Sequence, residues 1–214
     1  MLLLLATKNA DKPDVEAGRA VRVEMMRVLA GDVVGNWDEA EREGKGRGKA
    51  EGGVGNAVGD REGVDIALTP YALFVDKARV IAEESTYQGA KKVFILGFDT
   101  LKRLLEVRYY DPPTLSGLGA LFEGGVRVHL RAGGEEEEGD QRRWIESLGG
   151  KEGWLEMNGG KGEWVEGMEV LGARGGEEVS SSEVRRRVKE GMRLERLVTE
   201  GVEKVIEREG LYRR

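Results

Sequence analysis

The chain has 214 residues, a net charge of −6, no cysteine and one histidine, His129. This length predicts a domain with a substantial buried core. The net negative charge argues against a general nucleic-acid binder or a protein that binds anionic membranes. The lack of cysteine excludes disulfides and thiolate metal sites, and a single histidine excludes a metal centre built from several histidines.

The first six residues, MLLLLA, are apolar but too few for a signal peptide or a membrane span. They also lack the basic residues that open a signal peptide. The segment is typical of a buried strand in a parallel sheet. We therefore expect an intracellular protein, cytoplasmic or nuclear.

Apolar runs alternate with amphipathic segments along the chain. Strands are predicted at residues 2–7, 64–68, 93–96 and 126–130. Helices are predicted at residues 20–30, 71–84, 100–107, 140–148 and 198–209, with one more that begins at three serines, 180–182. This alternation predicts an α/β fold of the Rossmann-like type, with an open and mostly parallel sheet covered by helices on both faces.

Two Gly-rich segments interrupt this pattern, at about residues 35–63 and 149–176. Their composition predicts disordered, low-complexity insertions in a single domain that spans 1–214. Apolar residues in the second segment predict one or two short strands within it. The acidic run GEEEEG at 134–139 is expected to be a solvated loop.

Three short segments follow the ends of predicted strands, at residues 8–12, 97–99 and 131–133. In an open parallel sheet these ends share one rim, and ligands bind there. Gly97 would allow a ligand to approach the backbone, and Asp99 would either accept ribose hydroxyls or cap the next helix. Lys12 and Arg131 would either offer positive charge to phosphates or lie solvated. His129 is expected to be structural.

The serines at 180–182 leave two interpretations open. Ser180 and Glu183 have the spacing of a capping box, and Gly191 is the expected end of the helix, so the segment fits a well-capped surface helix. Hydroxyls and free N–H groups at a helix N-terminus, with Arg185 one turn inside, also fit a phosphate site. No nucleophile–base pair stands out in the sequence. We therefore expect catalysis by positioning and charge neutralisation, or no catalysis.

Five segments together resemble the nucleotidyltransferase superfamily, and in particular the fungal type of nicotinamide or nicotinate mononucleotide adenylyltransferase. VSSSEVR at 179–185 resembles the ISSTxIR signature of that family. LGFD at 96–99 resembles its LxGxD segment, and RAG at 131–133 resembles its R-x-G turn. RVEM at 22–25 and VEKVIEREGLY at 202–212 resemble its R-x-x-M helix and its C-terminal helix.

The resemblance implies transfer of AMP from ATP to the mononucleotide in NAD synthesis, with Mg²⁺ assisting. Its partners would be small-molecule nucleotides. It implies that the ATP phosphates are held by Ser180, Ser181, Ser182 and Arg185. It places Gly97 and Asp99 near the nucleotide ribose, with Lys12 and Arg131 as further substrate or phosphate contacts.

The sequence departs from the family in two respects. The family's H-x-G-H element is absent, because a single histidine cannot form it, and the catalytic residues are therefore unknown. The family's first strand, central in the 3-2-1-4-5-6 order, is also expected to be missing. The chain is then either a fragment or a protein of low stability and little transferase activity. Two alternatives remain: a non-catalytic nucleotide-binding regulator, and a nucleotidyltransferase with another acceptor.

Overall fold

The computed structural model describes residues 1–7, 17–42, 63–131, 135–172 and 180–213, with the backbone alone at 36–42 and 135. The chain divides into two compact units. The first unit consists of Met1–Pro70 and Val179–Arg214, and the second unit is Tyr71–Glu178. Each unit contains a parallel sheet and an apolar cluster of its own.

The first unit is built on two parallel strands. β1 (Leu2–Ala6) pairs with β2 (Asp65–Thr69), with Leu2 opposite Asp65 and Ala6 opposite Thr69. The connection between them contains the long helix α1 (Arg19–Arg42). Two C-terminal helices complete the unit, α7 (Ser181–Lys189) and α8 (Glu200–Arg208).

The core of the first unit lies among its helices. The last helix, α8, buries three apolar side chains, those of Val202, Val205 and Ile206. The cluster includes Val184 of α7, and Met25 of α1 packs against it. The Glu24 carboxylate accepts from the Arg208 guanidinium at 2.7 Å, which adds a polar link between α1 and α8. The last two helices of the chain, α7 and α8, therefore pack with α1.

The second unit has a three-stranded parallel sheet in the order β3-β4-β5. Its strands are β3 (Phe94–Gly97), β4 (Val126–His129) and β5 (Met168–Leu171). Its helices are α2 (Phe74–Glu83), α3 (Phe98–Leu104), α4 (Gly119–Gly124), α5 (Glu135–Ser147) and α6 (Trp154–Met157).

The core of the second unit is formed by side chains that cover the sheet. The fully buried ones include Leu101, Leu105, Leu115, Leu118, Leu121, Val126, Val128 and Leu155. Phe122 stacks on Trp164, with 4.5 Å between the ring centroids. Phe98 of α3 meets Trp144 of α5 edge to face at 5.3 Å. The helices on this sheet are thus locked together by aromatic contacts as well as by leucines.

The α/β fold class predicted from the sequence is confirmed, because all the described strand pairs are parallel and helices flank them. The described strands form two sheets, however, since β1 pairs with β2 and β3 pairs with β4. The absence of a further N-terminal strand stays a prediction.

The helix predicted at residues 20–30 is longer than expected. α1 continues through Gly31 and Gly35 to Arg42, so the first eight residues of the segment assigned to a disordered insertion are helical. A glycine inside a helix costs only about 1 kcal/mol relative to alanine, which the rest of the helix can offset. Residues 43–62 of that predicted insertion lie outside the described residues.

The disorder predicted for residues 149–176 is wrong for residues 149–172, which are ordered. This stretch forms α6, a 3₁₀ turn at Gly162–Trp164 and β5, and it buries Leu155, Trp164 and Met168. The expected short strand is present as β5. Gly159 has φ +79°, and a Cβ at Gly162 would lie 2.8 Å from the Gly150 carbonyl oxygen. These glycines serve turns and close backbone packing, so their number is no sign of low complexity here.

Residues 135–139 of the acidic run are helical rather than a loop, because α5 begins at Glu135, and Gly134 lies outside the described residues. Negative charge is favourable in the first turn of a helix, where the backbone N–H groups point outward. Glu136 and Glu137 are exposed, as expected for solvated charges. Composition thus predicted the exposure of these two residues correctly, and the secondary structure of residues 135–139 incorrectly.

Among the described helices, none has both the length and the apolar character needed to cross a membrane.

Candidate functional site

The carboxyl ends of β3 and β4 form an open rim in the second unit. Gly97 ends β3 and lies opposite His129, which ends β4. A Cβ at Gly97 would meet no atom within 4 Å, so there is space for a ligand at this position. His129 is half-buried.

Asp99 and Arg131 meet at this rim. The Arg131 guanidinium forms an ion pair with the Asp99 carboxylate, and the two side chains are 52% and 46% exposed. Asp99 lies in the first turn of α3, where a carboxylate is favourable, while the N-cap position itself is taken by Gly97. The structure therefore brings together two of the three segments that were expected to converge. Their roles toward a ligand stay predictions.

Gln141 completes the rim and was missed by the sequence analysis. Its Oε1 accepts from the Arg131 N–H at 2.9 Å, and its Nε2 donates to the Arg131 carbonyl at 3.2 Å. The predicted helix began at residue 140, one residue before Gln141, whereas α5 begins at Glu135. No signal in the sequence marked this residue, because its partner is set by how α5 lies on the sheet.

The serine segment forms the N-terminus of α7 in the first unit. Ser180 is the N-cap residue, and its hydroxyl accepts from the Glu183 N–H at 3.2 Å. Ser181 and Ser182 follow in the first turn and are exposed. The capped-helix interpretation is confirmed for Ser180, and two hydroxyls remain at the exposed helix end.

The far end of α7 closes as predicted at Gly191. This residue has φ +66° and donates to the Val188 carbonyl at 3.2 Å, while Met192 donates to the Arg187 carbonyl at 2.9 Å. These two bonds form a Schellman motif, which satisfies carbonyls at the end of the helix. Both ends of α7 are therefore set by local sequence.

The charges on α7 are paired along one side. The Glu183 carboxylate accepts from Arg186 at 2.7 and 2.9 Å and from Arg187 at 2.8 Å. These hydrogen bonds lower the pKa of Glu183 to about 2. The carboxylate in the first turn is thus balanced by two guanidinium groups, and it does not cancel the positive end of the helix. The Arg185 guanidinium lies 5.4 Å from the Tyr212 ring centroid.

A cavity of about 280 Å³ lies beside the start of α7. Ser180 and Ser181 contribute to its wall, and the rest is mainly apolar, with Met25, Val184, Leu197, Val198, Val202, Ile206 and Tyr212. The serine hydroxyls therefore border an apolar cavity that lies wholly within the first unit. This setting differs from a simple cluster of cations around a phosphate.

The remaining candidate is Lys12, and two tyrosines, Tyr109 and Tyr110, lie near the rim segments in the sequence. Lys12 lies outside the described residues. The Tyr110 hydroxyl donates to the Leu104 carbonyl at 2.5 Å, and burial raises the pKa of Tyr110 to about 12, so packing explains this residue. Arg108 donates to the Tyr109 hydroxyl at 3.1 Å. Within the described ranges, no group of three or more acidic or histidine side chains is placed to hold a metal ion.

Comparison with known proteins gives one informative relative. No family model matches the chain. A protein of Schizosaccharomyces pombe (strain 972 / ATCC 24843), named "Putative nicotinamide mononucleotide adenylyltransferase", is 32% identical over 110 residues. The match covers 51% of this chain and 33% of the relative, so the chain spans about a third of the length of the protein it matches. The chain is therefore similar to one part of that protein.

Proposed function

We propose that this chain is an ATP-binding nucleotidyltransferase that transfers AMP from ATP to nicotinamide or nicotinate mononucleotide in NAD synthesis. The observation that carries the proposal is the capped N-terminus of α7, which presents two exposed serine hydroxyls within a VSSSEVR segment. The similarity to the fission-yeast protein supports the same reaction. The predicted compartment is intracellular, cytoplasmic or nuclear.

In this proposal the ATP phosphates bind at the start of α7. Ser181 and Ser182 donate their hydroxyls, and the first-turn N–H groups add the positive end of the helix dipole. Ser180 acts through the cap, because its hydroxyl already accepts from the Glu183 N–H. Arg185, held near the Tyr212 ring, supplies a guanidinium that can form charge-assisted hydrogen bonds to phosphate oxygens.

Taken by itself, the rim of the second unit is a second nucleotide-contact candidate in this proposal, one that would hold a ribose. The Asp99 carboxylate accepts from ribose hydroxyls beside the open space at Gly97. Arg131 forms an ion pair with Asp99 and so orients its carboxylate. The half-exposed pair can exchange part of its contact for a ligand, because solvent-exposed ion pairs contribute only about 0–1 kcal/mol.

The chemistry would be an in-line displacement at the α-phosphorus of ATP. A phosphate oxygen of the mononucleotide forms the new P–O bond, the bond to the β-phosphate oxygen breaks, and pyrophosphate leaves. Such transfers are accelerated by positioning and charge neutralisation. Mg²⁺ fits as an ion that arrives with the ATP phosphates, since it is commonly bound through substrate phosphates and few carboxylates.

Calorimetric titration with ATP tests the phosphate site. Arg185→Ala and the double variant Ser181→Ala/Ser182→Ala should each weaken ATP binding about 10-fold or more, because each removes hydrogen bonds to charged phosphates. Arg193→Ala is the matched control, since this arginine is 86% exposed beyond the end of α7 and should leave binding unchanged. Equal affinities for all variants would overturn the assignment.

Turnover is tested separately with isotope-labelled ATP and the mononucleotide. Labelled dinucleotide and pyrophosphate support the transferase. ATP binding without product supports the second candidate, a non-catalytic nucleotide-binding protein. Product with a different phosphorylated acceptor, such as a phosphopantetheine, would identify the third candidate.

A further inference from the structure

Gln141 holds both main-chain polar groups of Arg131. The side-chain amide has one acceptor and one donor, and here the acceptor meets the Arg131 N–H while the donor meets the Arg131 carbonyl. The reversed amide would oppose donor to donor and acceptor to acceptor, so the orientation of the side chain is fixed. Gln141 therefore extends the hydrogen-bonding pattern of β4 beyond the last strand residue.

The helix that carries Gln141, α5, also packs next to Asp99, the ion-pair partner of Arg131. Trp144 lies three residues after Gln141 and packs edge to face on Phe98, which directly precedes Asp99. Residues three apart share a helix face. One face of α5 thus contacts both sides of the Asp99–Arg131 pair, at Arg131 through Gln141 and next to Asp99 through Trp144.

α5 itself is anchored to the sheet beneath it. Ile145 is buried in the core of the second unit. Arg142 donates to the Val170 carbonyl of β5 at 3.5 Å, a long hydrogen bond. Gln141 consequently projects from a fixed helix, and a fixed helix can set the place of a strand end to which it is hydrogen-bonded.

We propose that Gln141 is a positioning residue for ligand binding at this rim. Its two hydrogen bonds fix the Arg131 backbone. The position of this backbone determines where the Arg131 guanidinium contacts Asp99, and so orients the Asp99 carboxylate to accept from ribose hydroxyls. This inference rests on the proposed function, because it assigns the rim to the nucleotide. Gln141 itself touches no ligand in this proposal.

The test uses Gln141→Met, which keeps the length of the side chain and removes both hydrogen bonds, and Gln141→Glu, which keeps an acceptor and loses the donor. Gln88→Met is the matched control, because Gln88 is exposed at the end of a 3₁₀ turn. Amide hydrogen exchange of Arg131, read by NMR, should accelerate about 5-fold in Gln141→Met, the effect of one lost hydrogen bond. Gln141→Glu should show a smaller increase.

The second readout is the dissociation constant for ATP. Gln141→Met should weaken binding about 3-fold to 10-fold, with partial recovery in Gln141→Glu. In the Arg131→Ala background the same substitution should have no further effect, since Gln141 acts through Arg131. A purely structural role would instead lower the thermal midpoint and leave the affinity of the remaining folded protein unchanged.

The outcomes distinguish the positioning role of Gln141 from the proposed ATP-binding function. Unchanged exchange at Arg131 overturns the positioning role. Faster exchange with an ATP affinity within 2-fold of the unaltered protein overturns it as well, and leaves the proposed function intact. An unaltered protein that binds no ATP overturns the proposed function, and the positioning role with it. An effect of Gln141→Met that persists in the Arg131→Ala background also contradicts the proposal.

Discussion

At the scale of single residues, Glu183 shows how arginines one turn further along a helix can pair with a carboxylate in its first turn. Its backbone N–H completes the cap with Ser180, and its carboxylate is occupied by Arg186 and Arg187. The negative charge of Glu183 is therefore matched by positive charge on the same helix. A phosphate at the start of α7 would meet hydroxyls and N–H groups rather than an unpaired carboxylate.

This arrangement predicts a pH dependence of stability. The pKa of Glu183 falls from its ordinary value near 4.5 to about 2, because Arg186 and Arg187 bond to its ionised form. The stabilisation is complete above about pH 4.5 and is lost as the pH falls from there through 2. In thermal melts, the difference between the unaltered protein and Glu183→Gln should shrink over that range. An NMR titration midpoint of Glu183 near 4.5 would contradict this.

At the scale of elements, α1 and α8 approach each other closely at Gly201. A Cβ there would collide with the Val28 side chain and lie 2.8 Å from an oxygen of the Asp32 carboxylate. Val28 is β-branched and has little rotamer freedom in a helix. The close packing of α1 and α8 therefore requires a residue without a side chain at position 201. The Glu24–Arg208 ion pair also joins the two helices.

Gly201→Ala should therefore destabilise the protein by about 1–3 kcal/mol, the usual cost of an extra methyl group in a packed contact. Gly31→Ala is the control in the same helix pair, because a Cβ at Gly31 meets no atom within 4 Å. It should stabilise the protein by about 0.5–1 kcal/mol through helix propensity. Chemical denaturation followed by circular dichroism measures both. A neutral Gly201→Ala would show that the helices separate without cost.

At the scale of the whole molecule, two units with separate cores carry the two sets of candidate residues. The serines and Arg185 belong to the first unit, and Gly97, Asp99 and Arg131 belong to the second. Each sheet is small, and two or three strands need helices to bury their apolar faces. The stability of the second unit should accordingly depend on side chains that link its sheet to the segment after α5.

Leu155→Ala tests that dependence. Leu155 is 0% exposed within the segment that looked disordered from its composition, and its truncation should cost about 2–5 kcal/mol. Met157→Ala is the control in the same short helix, since Met157 is 71% exposed and should change stability by less than about 0.5 kcal/mol. Tryptophan fluorescence in urea reports the change, because Trp144, Trp154 and Trp164 lie in the second unit. Equal effects of both substitutions would contradict the buried role of Leu155.

The sequence alone determined the features that depend on near neighbours. The alternation of strands and helices determined the α/β class, and the spacing of Ser180, Glu183 and Gly191 determined both ends of α7, because caps form between residues three to five positions apart. Strand ends also placed Asp99 and Arg131 on one rim, since parallel strands share their direction.

Only the tertiary structure decided the features that join distant or compositionally ambiguous residues. The clasp of Gln141 on Arg131 spans ten residues and depends on how α5 lies on the sheet. The order at 149–172 depends on glycines that permit backbone contact, which composition cannot distinguish from glycines in a flexible segment. The apolar cavity beside the serines arises because α1, α7 and α8 meet there. A sequence pattern reports the structural preference of a short segment, whereas tertiary packing determines which distant residues that segment contacts.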